Sequence, residues 1–172
     1  GKDLETTKKS CENLRGQPVT MLIYAEGTRF NLKKHHKAKS PYKNLLKPRA
    51  GGVHTVLNSL GDELTSILNV TLVYPGHACP SLIDFLLGRI PRIVIRIEAL
   101  KLGKNEVPTL ETIKSKAGSM AVRNFLNHTW EVKDKIISNI HSESPISGTI
   151  NQPTSEPSST DSTGVSKTTS LF

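Results

Sequence analysis

The chain has 172 residues, which suits one domain of ordinary size, and its two distant cysteines argue against a disulfide framework and for a reducing environment. Its net charge of +8 is uneven, because residues 142–172 sum to −2 and leave +10 for residues 1–141. This basic balance indicates a polyanionic partner, and nucleic acid, anionic lipid and phosphorylated small molecules are all compatible with it.

Apolar patterning predicts alternating helices and strands. The predicted elements are a polar helix over 3–15, a strand over 19–25, a helix over 50–60, a strand over 67–74, a short helix over 81–87, a strand over 93–102 and an amphipathic helix over 122–140. The basic, proline-containing residues 31–49 are predicted to form a loop. Because the continuous apolar run at 19–25 is typical of a strand covered on both faces, we predict an α/β fold with a mostly parallel sheet flanked by helices.

The composition changes near residue 142. From there on, Ser, Thr and Pro dominate and apolar side chains are few. Such a segment cannot bury enough apolar surface to offset the entropy lost on ordering. We therefore predict a folded domain over 1–141 and a disordered tail over 142–172.

The most informative motif is the strand that runs into Glu26-Gly27-Thr28-Arg29. In open α/β sheets, ligands bind beyond the carboxyl ends of the strands. Gly27 permits a sharp turn that brings backbone N–H groups close to an anion, and Thr28 adds a hydroxyl. Arg29 offers a planar fork for a phosphate, while Glu26 can brace that guanidinium or the loop backbone. The motif therefore predicts a phosphate cradle.

Three segments resemble the glycerolipid acyltransferase family. Tyr24-Ala25-Glu26-Gly27-Thr28-Arg29 looks like the third conserved block of that family, and Leu72-Val73-Tyr74-Pro75 resembles its fourth. Residues 40–52 are similar to the connection between the two blocks. The resemblance covers about residues 1–140 and is closest to the bacterial 1-acylglycerol-3-phosphate acyltransferases.

This resemblance implies a function and a set of site residues. It implies transfer of a fatty acyl group from acyl-CoA or acyl-carrier protein to a lysophosphatidate-like acceptor, with no other cofactor. It further implies that Arg29 holds the acceptor phosphate and that Pro75 lies near the acyl-binding region. The implied location is peripheral, on the cytoplasmic face of the bacterial inner membrane.

One conserved block of the family is missing from this sequence. The family's general base is a His followed five positions later by an Asp, and none of the six histidines has an Asp at that distance. The second block is also absent. We therefore expect a partial acyltransferase domain, from a truncated chain or a partial gene, that does not catalyse acyl transfer alone.

Several other features have two interpretations each. A basic run is either a solvated loop or a surface for anionic lipid headgroups, with Lys47 or Arg49 facing the phosphate; it comprises Lys33, Lys34, Lys37, Lys39, Lys43, Lys47 and Arg49. Residues 82–89 form either a core helix or an interfacial helix. His35-His36 lacks the partners of a metal site, and no metal is predicted.

Two alternative functions remain beside the acyltransferase. The chain alone is a catalytically inactive remnant that binds phosphate or anionic lipid, or, ranked well below, a basic nucleic-acid-binding module. The scarcity of aromatic side chains disfavours the nucleic-acid interpretation.

Overall fold

The computed structural model of the protein describes residues 2–77, 79–104 and 107–143. Its elements are α1 (Lys2–Leu14), α2 (Leu32–Ala38), α3 (Ala50–Leu60), β1 (Ile67–Val73), α4 (Leu82–Leu86), β2 (Val94–Leu100), α5 (Leu110–Lys114) and α6 (Gly118–Glu143). None of the described helices combines the length and the apolar character that crossing a bilayer requires. The predicted tail lies outside the described residues from 144 onward.

Four of the predicted helices and two of the predicted strands are present at nearly the predicted positions. The structure adds two short helices: α2 lies within the predicted loop at 31–49, and α5 lies in a stretch for which no element was predicted. Each begins at a capping side chain: Asn31 Oδ1 accepts from the Lys34 N–H at 2.9 Å, and Thr109 Oγ1 accepts from the Thr112 N–H at 3.2 Å. Helices of five to seven residues are too short to show a helical apolar period.

The predicted mostly parallel sheet is not present in the described residues. β1 and β2 form a two-stranded antiparallel sheet, with Ile67 opposite Leu100 and Val73 opposite Val94. A parallel pair needs a crossover helix that covers the sheet. The connection at residues 74–93 contains only α4, which packs against no other described helix or strand.

The predicted strand at 19–25 is also wrong for this structure. Residues 19–24 have no regular secondary structure and join no ladder among the described residues. Their apolar side chains are largely exposed, with Leu22 and Tyr24 at 73% and 78%. The run has the composition of a doubly covered strand, but a strand also requires a neighbouring backbone, and none of the described elements supplies one.

The core lies where α6 crosses α3, α5 and the inner face of the sheet. The predicted buried stripe of α6 is present at Phe125, Leu126, Trp130 and Ile137, whereas Val132 is exposed. A second small cluster joins α1 to α3 through Cys11, Val56 and Leu60. Arg15 reinforces that contact, because its guanidinium reaches Asp62 at 2.6 Å and Glu63 at 2.9 Å.

The turn after residue 25 is attached to α6 by a buried contact of Glu26. The Trp130 Nε1–H donates to Glu26 Oε1 at 3.1 Å, and the backbone of Leu46 also hydrogen-bonds this carboxylate. Burial raises the pKa of Glu26, against the lowering effects of these two hydrogen bonds and of Lys133. Lys133 lies 4.6 Å from the centroid of the Trp130 ring and donates to the Val70 carbonyl at 2.9 Å.

A second contact attaches the loop after α2 to the same helix. The two carboxylate oxygens of Asp134 accept from the backbone N–H groups of Lys43 and Asn44, at 2.8 and 2.7 Å. The Asn44 side chain also donates to Ser138 Oγ at 2.8 Å, and the Tyr42 hydroxyl donates to the Asn127 carbonyl at 3.3 Å. The loop is therefore positioned by hydrogen bonds to one face of α6.

Two substitutions of Glu26 distinguish the effect of its charge on stability from the effect of its hydrogen bonds. Because the pKa of Glu26 is raised, its contribution to stability is complete below the unfolded-state pKa and is lost as the pH rises through the folded-state pKa. We expect Glu26→Gln, which keeps an acceptor oxygen, to gain stability relative to wild type as the pH rises through that window. Glu26→Ala should cost about 1–3 kcal/mol, because Trp130 and Leu46 lose their acceptor.

Urea unfolding across the acidic to neutral range measures these effects. Glu131→Gln, at an exposed position one residue after Trp130, is the control and should leave the pH profile unchanged. A parallel pH profile for Glu26→Gln and wild type would contradict the predicted role of burial.

Removing the Asp134 carboxylate should release the loop. We expect Asp134→Ala to lower the free energy of unfolding by about 1–3 kcal/mol, since two backbone N–H groups lose their partner. Asp134→Asn, which keeps one acceptor oxygen, should fall between it and wild type. Amide hydrogen exchange should accelerate at Lys43 and Asn44, whereas Lys135→Ala, at an exposed position next to Asp134, should leave both amides protected. Unchanged protection in Asp134→Ala would contradict the prediction.

Candidate functional site

The predicted motif forms a tight turn closed against the start of α3. The Gly27 N–H donates to the Tyr24 carbonyl at 2.9 Å, and the Arg49 N–H donates to the Ala25 carbonyl at 2.7 Å. Gly27 has a φ of 71°, which an L side chain rarely adopts. The Arg49 side chain crosses this turn, so that a Cβ on Gly27 would lie 3.5 Å from Arg49 Cδ. Gly27 is thus needed for the φ of the turn, whereas a Cβ there would meet the Arg49 stem only at ordinary van der Waals distance.

An open groove of about 670 Å³ lies between this turn, α2 and the segment before α3. Its lining residues are Glu26, Thr28, Lys34, Lys37, Ala38, Leu46, Lys47, Pro48 and Arg49. The Lys34 ammonium group donates to Thr28 Oγ1, which ties α2 to the turn. Four cationic side chains therefore share the groove with one partly buried carboxylate.

The balance of charges determines what this groove can bind. The Glu26 carboxylate accepts hydrogen bonds from Trp130 and the Leu46 backbone, so it stabilises the turn. The four cations are concentrated in a concave site, where they attract anions more strongly than dispersed surface lysines do. Arg49 offers the planar fork that holds a phosphate at two oxygens, and the lysines act as point charges. A phosphate monoester matches this arrangement.

The structure brings together most of the predicted site residues but not all. Glu26, Thr28, Lys47 and Arg49 line the groove, and Gly27 lies under the Arg49 side chain. Arg29 is exposed and is not among the groove-lining residues. Pro75 is buried in the turn that follows β1 and does not line the groove either.

Two groove residues have a role that the sequence did not predict. Lys34 and Lys37 were predicted to lie in a basic loop that is either solvated or faces lipid headgroups, whereas they lie on α2 three positions apart and line the groove. Residues at this spacing share one face of a helix. The signal was present, since Asn31 is a helix-capping residue type, but a loop interpretation of 31–49 concealed the common face.

The histidines that lie near the groove have structural contacts. His35 Nε2 lies 2.6 Å from the Tyr42 carbonyl, and His54 Nε2 lies 3.2 Å from the Ile113 carbonyl. Within the described ranges, no cluster of three or more His, Cys, Asp or Glu side chains forms a candidate metal site. The cationic side chains that line the groove, Lys34, Lys37, Lys47 and Arg49, support binding and orientation of an anion.

A second, smaller cavity of about 230 Å³ lies between the inner face of the sheet and α6. Arg96, Glu98 and Lys133 are among its lining residues, so both signs of charge are present. Asn69 Nδ2 donates to Glu98 Oε2 at 3.3 Å across the two strands. This mixture favours an anion less than the groove does, and the groove is the stronger candidate site.

Comparison with known proteins gives a consistent set of relatives. A 1-acyl-sn-glycerol-3-phosphate acyltransferase epsilon of Mus musculus is 25% identical over 155 residues, covering 79% of this chain and 40% of the relative. The gamma and delta enzymes of the same species are 34% and 32% identical over 97 residues, covering 51% of this chain and 26% of each relative. The chain thus spans less than half the length of these curated relatives.

Neither of the other comparisons adds a match. No family model and no solved structure matches the chain. The mammalian relatives do not test the predicted affinity to the bacterial branch, which stays a prediction. All three relatives are named as 1-acyl-sn-glycerol-3-phosphate acyltransferases, the family that residues 24–29 and 72–75 resemble. The chain is therefore similar to glycerolipid acyltransferases over part of their length.

Proposed function

We propose that this chain is the acceptor-binding part of an acyltransferase that transfers a fatty acyl group from an acyl thioester to a 1-acylglycerol-3-phosphate. The observation that carries the proposal is the groove between the Gly27 turn and α2, in which Lys34, Lys37, Lys47 and Arg49 converge. The acyltransferase relatives supply the reaction class. The acyl donor, acyl-CoA or acyl-carrier protein, and a peripheral position on the cytoplasmic face of a bacterial inner membrane belong to the proposal.

The groove would act by holding the phosphate of the acceptor. Once the phosphate is bound, the free glycerol hydroxyl has only a limited range of positions. It therefore meets the acyl thioester in a restricted orientation and not by random collision. In the complete reaction a general base takes the hydroxyl proton, and the hydroxyl oxygen attacks the thioester carbonyl. Hydrogen-bond donors stabilise the developing oxyanion. Its collapse breaks the C–S bond and expels the thiolate, which takes up the proton held by the general base.

Arg49 and Arg29 are candidates for binding the phosphate for different reasons. Arg29 is the position that the family resemblance implies, and it follows the turn directly. Arg49 lines the groove and lies against Gly27. Both side chains flank the same turn. Measuring acceptor binding in single variants therefore distinguishes the contribution of Arg29 from that of Arg49.

A second candidate function is phosphate binding without catalysis. None of the six histidines has an Asp five positions on, so the family's general base has no counterpart in this sequence. The groove needs no such base to bind an anion. This candidate and the first share the groove and differ only in turnover.

Arg49→Ala should weaken binding of a water-soluble acceptor such as short-chain 1-acylglycerol-3-phosphate by about 10- to 100-fold, since a charge-assisted hydrogen bond is lost. Arg29→Ala should weaken it as well if the family position operates here. Isothermal titration calorimetry measures both. Arg123→Ala, at an exposed position on α6 outside the groove, should bind as wild type does. Unaltered affinity in both Arg29→Ala and Arg49→Ala would overturn the proposed acceptor site.

A turnover assay separates the two candidate functions. The chain with acyl-CoA or acyl-carrier-protein thioester and 1-acylglycerol-3-phosphate should release no thiol above the uncatalysed rate, because hydroxyl activation requires a general base. A chain supplemented with a segment that contains the His and Asp block should gain turnover. Measurable turnover by the chain alone would contradict the second candidate function. It would also contradict the inference that the general base lies outside this chain.

A further inference from the structure

Helix α4 is an apolar element that no other described helix or strand covers. Its apolar residues and the one that follows are between 55% and 73% exposed: Leu82, Ile83, Phe85, Leu86 and Leu87. α4 packs against no other described helix or strand. It lies in the connection between β1 and β2, at the end of the sheet where Val73 faces Val94. The core-helix interpretation of residues 82–89 is therefore wrong for this structure.

Local hydrogen bonds, not packing, hold α4 in shape. Ser81 Oγ accepts from the Asp84 N–H at 3.0 Å, and the Asp84 carboxylate accepts from the Ser81 N–H at 3.1 Å. This reciprocal pair is a capping box, which stabilises the first turn of a helix. The capping box thus stabilises the first turn of α4 while the apolar side chains of the helix stay exposed.

The distribution of apolar side chains around α4 distinguishes between partners. At 100° per residue, Leu82, Ile83, Phe85, Leu86 and Leu87 cover an arc of about 200°. A groove on another protein contacts a stripe about half as wide. A fluid apolar medium that closes around the helix can cover the whole arc.

The charges next to α4 indicate the sign of the surface that it meets. Asp84 is the one acidic residue between positions 78 and 97, and its carboxylate is engaged by Ser81 and by Arg89 at 3.4 Å. Arg89 and Arg92 are exposed after the helix. Apolar side chains beside arginines are typical of elements that lie in the interface of an anionic bilayer.

We propose that α4 inserts its apolar side chains into the headgroup and acyl boundary of an anionic lipid bilayer, with the arginines that follow it facing the lipid phosphates. This extends the proposed function, since a lipid acceptor would reach the groove from the same membrane. It does not require that the groove bind an acceptor.

A fluorescent probe on α4 tests the insertion directly. Cys79 is exposed and Cys11 is buried, so a Cys79→Ser/Leu86→Cys variant can be labelled at one accessible thiol with the environment-sensitive dye NBD. On vesicles of phosphatidylcholine and phosphatidylglycerol we expect a blue shift and protection of the dye from dithionite. Vesicles of phosphatidylcholine alone should give a weaker effect. A Cys79→Ser/Met120→Cys control, at a position that is 57% exposed in wild type, should stay accessible to dithionite.

Vesicle cosedimentation of the full chain gives a second readout. Phe85→Ser/Leu86→Ser should weaken partition to the anionic vesicles by roughly tenfold or more, because two apolar side chains no longer leave water. Met120→Ser should partition as wild type does. Circular dichroism should show that both variants are folded, since the replaced side chains are exposed.

The outcomes distinguish this inference from the proposed function. A dye at position 86 that stays accessible on the vesicles, or a Phe85→Ser/Leu86→Ser variant that partitions like wild type, would overturn the insertion. Shielding of the dye without vesicles, together with a dimeric mass, would overturn it in favour of a second copy of the chain. Arg49→Ala should leave insertion intact, so a failure of the groove prediction would not remove this one.

Discussion

Hydrogen bonds from side chains of α6 hold the candidate site together. Trp130 binds the Glu26 carboxylate, and the Asp134 carboxylate binds the backbone of Lys43 and Asn44. In a sheet-based site, neighbouring strands would supply these constraints. Here the segment before the turn joins no ladder among the described residues, so α6 positions the site in place of a sheet.

The Glu26 contact also explains how an acidic residue fits a cationic groove. A free carboxylate beside four cations would compete with a bound phosphate. Burial against Trp130 raises the pKa of Glu26, and its hydrogen-bonding capacity is directed at the indole and the Leu46 backbone. The groove can therefore remain electropositive although its turn depends on an acidic residue. This is a division of roles between structural support and ligand attraction.

In the described part of the chain, the sheet and α4 both carry exposed apolar surfaces, and these differ in form. One is the outer face of the sheet, where Val70 and Ile97, and Leu72 and Ile95, are exposed cross-strand neighbours. The other is α4, a helix that is apolar over more than half of its circumference. A flat sheet face and a protruding helix present different geometries, and only the helix combines a wide apolar arc with neighbouring arginines.

The sequence by itself determined most of the local elements and the family resemblance. Apolar patterning was sufficient for α3, β1 and α6, and residues 24–29 and 72–75 were sufficient for the resemblance, because these signals depend on neighbours along the chain. Tertiary structure decided the rest. Strand pairing depends on distant backbones, so the run at 19–25 and the antiparallel sheet could not be derived from composition. Likewise, the convergence of Lys34, Lys37 and Arg49, and the exposure of α4, follow from how separate segments fold onto α6 or away from it.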